Sequence, residues 1–216
     1  LHNFFWLNFI DRKTDGKNIK KIIYLWILKN PSYKKNTWKS IILSERIISW
    51  ILNIDLILEN ANFSFKKDFF DSIISQCNHL KKNIKFEKDY QKKIVIYISL
   101  ILSGTIFKEY KDNYNLGIKE LENYIKDFFD KDGFPLSRNP NDLLFATKYL
   151  ILCKEIIKDA QVYVPEFLEN IIEKNISCLN FIKCPNNQLP LFNGASENPI
   201  NQLDEYLNEI EKKNKS

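Results

Sequence analysis

Helical segments that are apolar all round alternate along this chain with helical segments carrying a single apolar stripe, and few architectures accept that pattern. Residues 44–59 are apolar on almost every face, through Ile47, Ile48, Trp50, Ile51, Leu52 and Ile54. Residues 90–107 repeat this with Ile94, Val95, Ile96, Ile98, Leu100 and Ile101, and residues 140–159 come close to it. The segments between them, 65–84, 116–130 and 165–183, keep lysine and glutamate on one face. A helix without a polar face has to be buried, whereas a striped helix lies at the surface of its domain. The alternation therefore predicts helical hairpins in two layers, an inner row wrapped by an outer one. Further helices are expected at 17–29 and 200–213.

Only five glycines and seven prolines in 216 residues leave too few turns for a sandwich or barrel, so the fold class is all-α. Hairpins in two layers either close toward an α/α toroid or stack into an open solenoid. A solenoid should repeat at the level of residues, and no such repeat is found. The connections at 130–140 and 184–199 are long, polar and unlike each other. The expected architecture is one incomplete (α/α) toroid domain over 1–216, large enough to bury its own core, with functional loops on one rim.

Those connections contain Asp132-Gly133-Phe134-Pro135-Leu136-Ser137-Arg138-Asn139-Pro140 and Leu189-Pro190-Leu191-Phe192-Asn193-Gly194. Loops held on a rigid helical frame are where binding and chemistry concentrate. Local signals mark the helix ends around them. Ser44 is read as the cap of the second helix, Asn139 as the cap before Pro140, and Pro165 as a first helical residue. Gly133 is read as closing the helix that finishes at Phe129-Asp130.

Of 32 basic residues only Arg12, Arg46 and Arg138 are arginine, and the planar guanidinium fork grips carboxylates in a way lysine cannot. Arg138 is the leading candidate for anchoring an anionic ligand; its structural alternative is an ion pair with Asp132 or Asp142. Arg46 lies on an otherwise apolar inner helix, so it must be paired, with Glu45 or Asp55, or face a wet cavity. Trp6, Trp38 and Trp50 either present ring surface to a ligand at the rim or belong to the core. Asn193 and Glu197 either hydrogen-bond a ligand or simply build a turn.

The net charge of +5 does not indicate nucleic acid, because lysine is spread over nearly every helix and electrostatic recognition needs clustered charge. Cys77, Cys153, Cys178 and Cys184 contain no C-x-x-C pair and read as reduced, mostly buried thiols. With His2 and His79 far apart, no metal site is expected, and no cofactor is implied. The longest apolar run, Ile94 to Phe107, is too short for a membrane span and is interrupted by Ser99, Ser103 and Gly104. No signal peptide is visible, but the chain also lacks methionine and reads as an internal or processed piece. Localisation is therefore open, periplasmic if a missing leader is secretory and cytoplasmic otherwise.

Taken in order, the residues resemble the heparinase II/III-like family of bacterial proteins. The likeness runs through Leu1-His2-Asn3-Phe4-Phe5-Trp6-Leu7, Trp38, Ser44-Glu45-Arg46-Ile47-Ile48-Ser49-Trp50-Ile51, Gln76-Cys77-Asn78-His79-Leu80 and the two loops above. The resemblance implies an incomplete toroid, usually followed by a β-sandwich domain that is not among these residues. It also implies a polysaccharide lyase acting by β-elimination on uronic-acid units of an acidic polysaccharide. Such a reaction has three tasks: neutralise the sugar carboxylate, remove the C5 proton, and protonate the departing glycosidic oxygen. The resemblance suggests Asn78 or His79 for the first task, since an uncharged amide can still hydrogen-bond the carboxylate. His79 could serve instead as the base. Both residues could equally brace a helix end beside Lys81 and Lys82. Arg138, Arg46, Trp38, Trp50, Asn193 and Glu197 are the candidate substrate contacts.

The chain departs from the family pattern at two places. Phe134 stands where a histidine is expected in the Asp-Gly loop, and Asn141-Asp142 stand where a Tyr-His pair is expected, its tyrosine being the proton donor. These 216 residues alone are therefore expected to release no unsaturated product. The alternatives are a diverged carbohydrate-binding member that kept the cleft, and a helical scaffold for protein partners.

Overall fold

The computed structural model of the chain describes residues 2–10, 16–185 and 188–196. Eight α-helices lie within them: α1 (Gly16–Lys29), α2 (Ser40–Leu52), α3 (Ile54–Leu58), α4 (Phe63–Asn83), α5 (Tyr90–Ile106), α6 (Lys111–Phe128), α7 (Pro140–Asp159) and α8 (Glu166–Ile182). Among the described residues no strand forms; a single bridge joins Phe129 to Pro135. The segment 200–213, expected to be helical, lies outside the described residues.

Burial follows the layering that the apolar pattern dictates. Every residue of α5 from Ile94 to Gly104 is buried, and α2 and α7 are buried on most sides. These three form a central row, α2 on α5 and α5 on α7. The striped helices cover it: α4 lies against α2 and α5, α6 against α5, and α8 against α7. No comparable packing joins α2 to α7, so the row is an open arc of hairpins, an incomplete (α/α) toroid.

The tightest pair is α5 with α6, and two glycines permit it. A Cβ on Gly117 would stand 2.7 Å from Ile101 Cγ1 and 2.9 Å from the Tyr97 carbonyl oxygen. At Gly104 it would stand 2.3 Å from the backbone nitrogen of Tyr114. At the amino-terminal end of the arc, Phe4, Trp26, Trp50 and Phe69 interlock, mostly edge to face, with centroids 5.2–5.7 Å apart along the chain of contacts through Trp50 and Phe4.

Several helix ends differ from expectation. α2 begins at Ser40, so Ser44 lies inside it, where its Oγ donates to the Ser40 carbonyl (2.8 Å) instead of capping. A serine hydroxyl can satisfy itself on the preceding turn, which is why it does not mark a boundary reliably. The expected single helix 44–59 breaks at Asn53, whose amide donates to Ser49 O and Asn8 Oδ1 (both 2.8 Å). α6 starts earlier than expected, at Lys111, because a 3-10 turn at Lys108–Tyr110 leads directly into it. α6 ends at Phe128, and Gly133 (φ +89°) serves the following turn. Pro165 stands just ahead of α8. Asn139 does cap α7, its Oδ1 accepting from the Asn141 N–H (2.8 Å), with Pro140 in the first turn.

The order of hairpins sends every functional candidate loop to one end. α1, α4, α6 and α8 finish at the rim where α2, α5 and α7 begin. Contacts across it fix this, including Gln91 Nε2 to Asp142 Oδ1 (2.9 Å) between the starts of α5 and α7. No helix among the described residues is long and apolar enough to cross a membrane.

A candidate binding rim

The loop 129–139 is organised by one carboxylate. Asp130 Oδ1 accepts from the backbone N–H groups of Asp132 and Phe134 (both 2.9 Å), and Oδ2 accepts from Arg138 Nη1 (2.6 Å). Burial alone would raise the Asp130 carboxyl, but the bonds from Phe134 and Arg138 hold it below its ordinary range. Gly133 supplies the left-handed backbone of the turn, and its surroundings leave no room for a side chain, since a Cβ there would stand 2.5 Å from Lys174 Cβ. From α8, Lys174 Nζ donates to the Lys131 carbonyl (2.9 Å). Asn175, buried, donates to the Gly133 carbonyl (2.8 Å) once its amide is oriented to face it.

Arg138 itself has φ +56° and lies 5.7 Å over the Phe134 ring. Its partner is Asp130, not Asp132 or Asp142. Asp142 is taken by Ser137 Oγ (2.7 Å) and Gln91. The arginine side chain remains 52% exposed, and among the described residues Nε and Nη2 make no bond. Asn193 Nδ2 donates to the Arg138 carbonyl (3.1 Å) and Asn141 Nδ2 to the Ser196 carbonyl (2.9 Å), so the two polar loops meet. Glu197 lies outside the described residues.

A second depression of the rim, about 640 Å³, lies between the start of α2 and the end of α4. His79 stacks on Tyr33 and meets the edge of Trp38, each with centroids 5.4 Å apart. Phe86 adds another exposed ring, and Lys35 and Lys39 supply positive charge. α2 enters without a side-chain cap, so the first N–H groups of the helix are left for another acceptor, a ready position for an anion. Burial, then the charge of Lys82, pulls His79 below its ordinary value of 6.5, leaving it neutral at pH 7. Its ring protons are expected to titrate below that value by NMR. Because the unfolded chain takes the proton first as pH falls, stability declines through the ordinary histidine range. A midpoint above 6.5 would show that the environment is not as described.

Other candidates fall elsewhere. Asn78 is exposed and leaves α4 about 100° round from His79, outside this cleft. Trp50 is fully buried among Phe4, Trp26 and Phe69, so it is core and touches no ligand. Arg46 is also fully buried. It donates to Gln76 Oε1 (2.7 Å), the His2 carbonyl (2.7 Å) and the Thr37 carbonyl (3.1 Å), and lies 4.1 Å over Trp26. Neither Glu45 nor Asp55 is its partner; carbonyl dipoles and an indole face replace a carboxylate. Sequence reasoning missed Tyr33, Lys35, Lys39 and Asp130. The spacing Asp130-x-x-Gly133, an Asx-type turn, was the signal available for the last. Cys77 and Cys153 are buried and all four thiols are free.

The chain thus defines a two-layered helical arc, an incomplete (α/α) toroid with polar loops gathered on one rim. The sequence profile described as Heparinase II/III N-terminus matches residues 13–213, and the chain belongs to that family. Its fold is similar to that of heparan sulfate lyase HepC from Pedobacter heparinus, with TM-score 0.70 and 18% identity over 82% of this chain and 29% of that one. It is equally similar to a heparinase III, the BT4657 gene product, with TM-score 0.71 and 20% identity over 93% of this chain and 35% of that one. The chain thus spans about a third of the length of these relatives. No curated protein sequence matches it.

Proposed function

We propose that this chain forms the helical part of a lyase that cleaves an acidic polysaccharide by β-elimination, gripping uronate units along the rim. The observation that carries the reading is Arg138, oriented by Asp130 on one side and open on the other, where the two polar loops meet. A guanidinium already held by one partner presents its remaining N–H donors with little further loss of freedom. In the other cleft of the rim, neutral His79 is suited to take a proton. The uncapped start of α2 with Lys39 is suited to receive a carboxylate, a task that Asn78 is not placed to share. Tyr33 and Phe86 offer ring surface, with Trp38, buried, behind them. A β-sandwich domain from the rest of the protein would complete the site.

In the full-length protein, Arg138→Ala is expected to weaken binding of heparan sulfate or an unsulfated polyuronate by about 10- to 100-fold, the worth of a charge-assisted pair. Arg138→Lys should recover only part, since it restores charge without the fork. Calorimetric titration reads both. Unchanged affinity in Arg138→Ala sinks the reading.

One observation favours a second reading, a carbohydrate-binding member without catalysis. Phe134 stands where a histidine is expected and Asn141-Asp142 where a Tyr-His pair with its proton-donating tyrosine is expected, and Asp142 is engaged in holding the loop. This version predicts binding by the wild-type full-length protein with no unsaturated product detected by ultraviolet absorbance.

A further inference from the structure

A separate depression of about 350 Å³ lies between α5 and α6, at the same end of the molecule but outside both features above. Its walls include Tyr90, Tyr97 and Tyr124. The rings of Tyr97 and Tyr124 are more than nine-tenths buried, at 6% and 4% exposure. Buried tyrosines normally find a partner for the hydroxyl. These two have no hydrogen-bond partner among the described residues, neither oxygen is fully enclosed, and both residues line the depression. Tyr90, 44% exposed, sits at the lip with its ring packed against Phe128 at 5.4 Å.

The charges around these phenols determine what could bind. Burial, then Glu120 and Asp127, pushes Tyr97 up to about 12, so its hydroxyl stays neutral and both donates and accepts. Lys93 lies 5.0 Å over Tyr90 and Lys126 is paired with Glu122 at 2.7 Å, so positive charge is balanced or spoken for. An anion would meet two carboxylates there. A cation would meet Lys93. An uncharged ring bearing several hydroxyls meets two unpartnered phenols, with the Asn123 amide and the carboxylates as further partners and Tyr90 at the lip.

The geometry points to a second ligand site here, one that takes a single uncharged sugar ring. The cleft suits one ring in volume and offers the convergent polar groups that fix the orientation of such a ligand. The inference rests on the proposed function only for the source of the sugar, a neutral unit of the polymer held at the rim. The binding itself is independent of cleavage.

The test uses the full-length protein with labelled tyrosines, titrated separately with methyl α-glucopyranoside and with sodium glucuronate. The glucoside is expected to shift the ring signals of Tyr90 and Tyr97, and glucuronate to leave them unmoved. Tyr97→Phe removes only a hydroxyl without a protein partner, so the fold should persist while glucoside binding weakens about 3- to 10-fold. Tyr90→Ala, at the lip, provides an independent loss of binding. No shift with the glucoside, equal shifts with glucuronate, or shifts insensitive to both variants would each overturn the proposal. If Arg138→Ala abolishes polymer binding while the glucoside response persists, the sites are distinct as proposed. If heparan sulfate never binds yet the glucoside response is present, the lyase reading falls and this one stands.

Discussion

Arg46→Ala is expected to cost about 3–5 kcal/mol of folding stability, the combined cost of buried acceptors left bare and of the void left by a large buried side chain. Three acceptors lose their donor at once: Gln76 Oε1 on α4 and the carbonyls of His2 and Thr37. Two of these belong to segments without regular structure, so the arginine ties the amino-terminal stretch and the 30–39 connection to α2 and α4. Removing it also leaves a void beside Trp26, whose face the guanidinium covers. Burial pushes this guanidinium down to about 9, so it remains charged at neutral pH. Arg46→Met would refill the volume and leave the acceptors bare, so it should recover only the packing part. Urea denaturation of the three proteins separates these contributions. A loss below about 1 kcal/mol for Arg46→Ala would mean that water replaces the side chain and that the brace is not structural.

Gly104→Ala is expected to destabilise the chain by about 3 kcal/mol, the upper part of the usual range for overpacking. The added methyl would meet the backbone nitrogen of Tyr114 at 2.3 Å and its Cα at 2.8 Å, and backbone cannot rotate aside as a side chain can. The helices would have to separate, and every contact along α5 and α6 would loosen with them. Helix propensity works in the opposite direction, favouring alanine over glycine by about 1 kcal/mol, so the observed loss is a net value. Thermal denaturation reads it. An unchanged or raised Tm in Gly104→Ala would refute the close approach.

The layers were legible because burial is written directly into composition: α5 has no polar face at residues 94–104, and nothing but the interior can hold it. The meeting of the two polar loops was legible in part, since Gly133, Pro140 and Gly194 mark turns that have to sit at helix ends. Arg46 shows where such reading stops. A lone arginine on an apolar helix announces that it needs partners, but its partners came from carbonyls at positions 2 and 37, and periodicity carries no information on such long-range backbone contacts. Trp50 and Trp38 show the same limit. Both are tryptophans near one helix, and only packing reveals that one lies among Phe4, Trp26 and Phe69 while the other edges a cleft. Tyr97 reads as core by period and is core by its ring, yet its hydroxyl is not.

The glycine contact between α5 and α6 has an effect beyond itself. The two helices form a fork, pinched where Gly104 and Gly117 let them touch and propped apart toward Tyr90 by the rings of Tyr97, Tyr124 and Phe128. The gap between its tines depends on Gly104 and Gly117, neither of which lines the cleft. Enlarging position 117, which abuts the Tyr97 backbone, would move the prongs and change what fits between them, so selectivity at that end can be altered from a residue outside the lining.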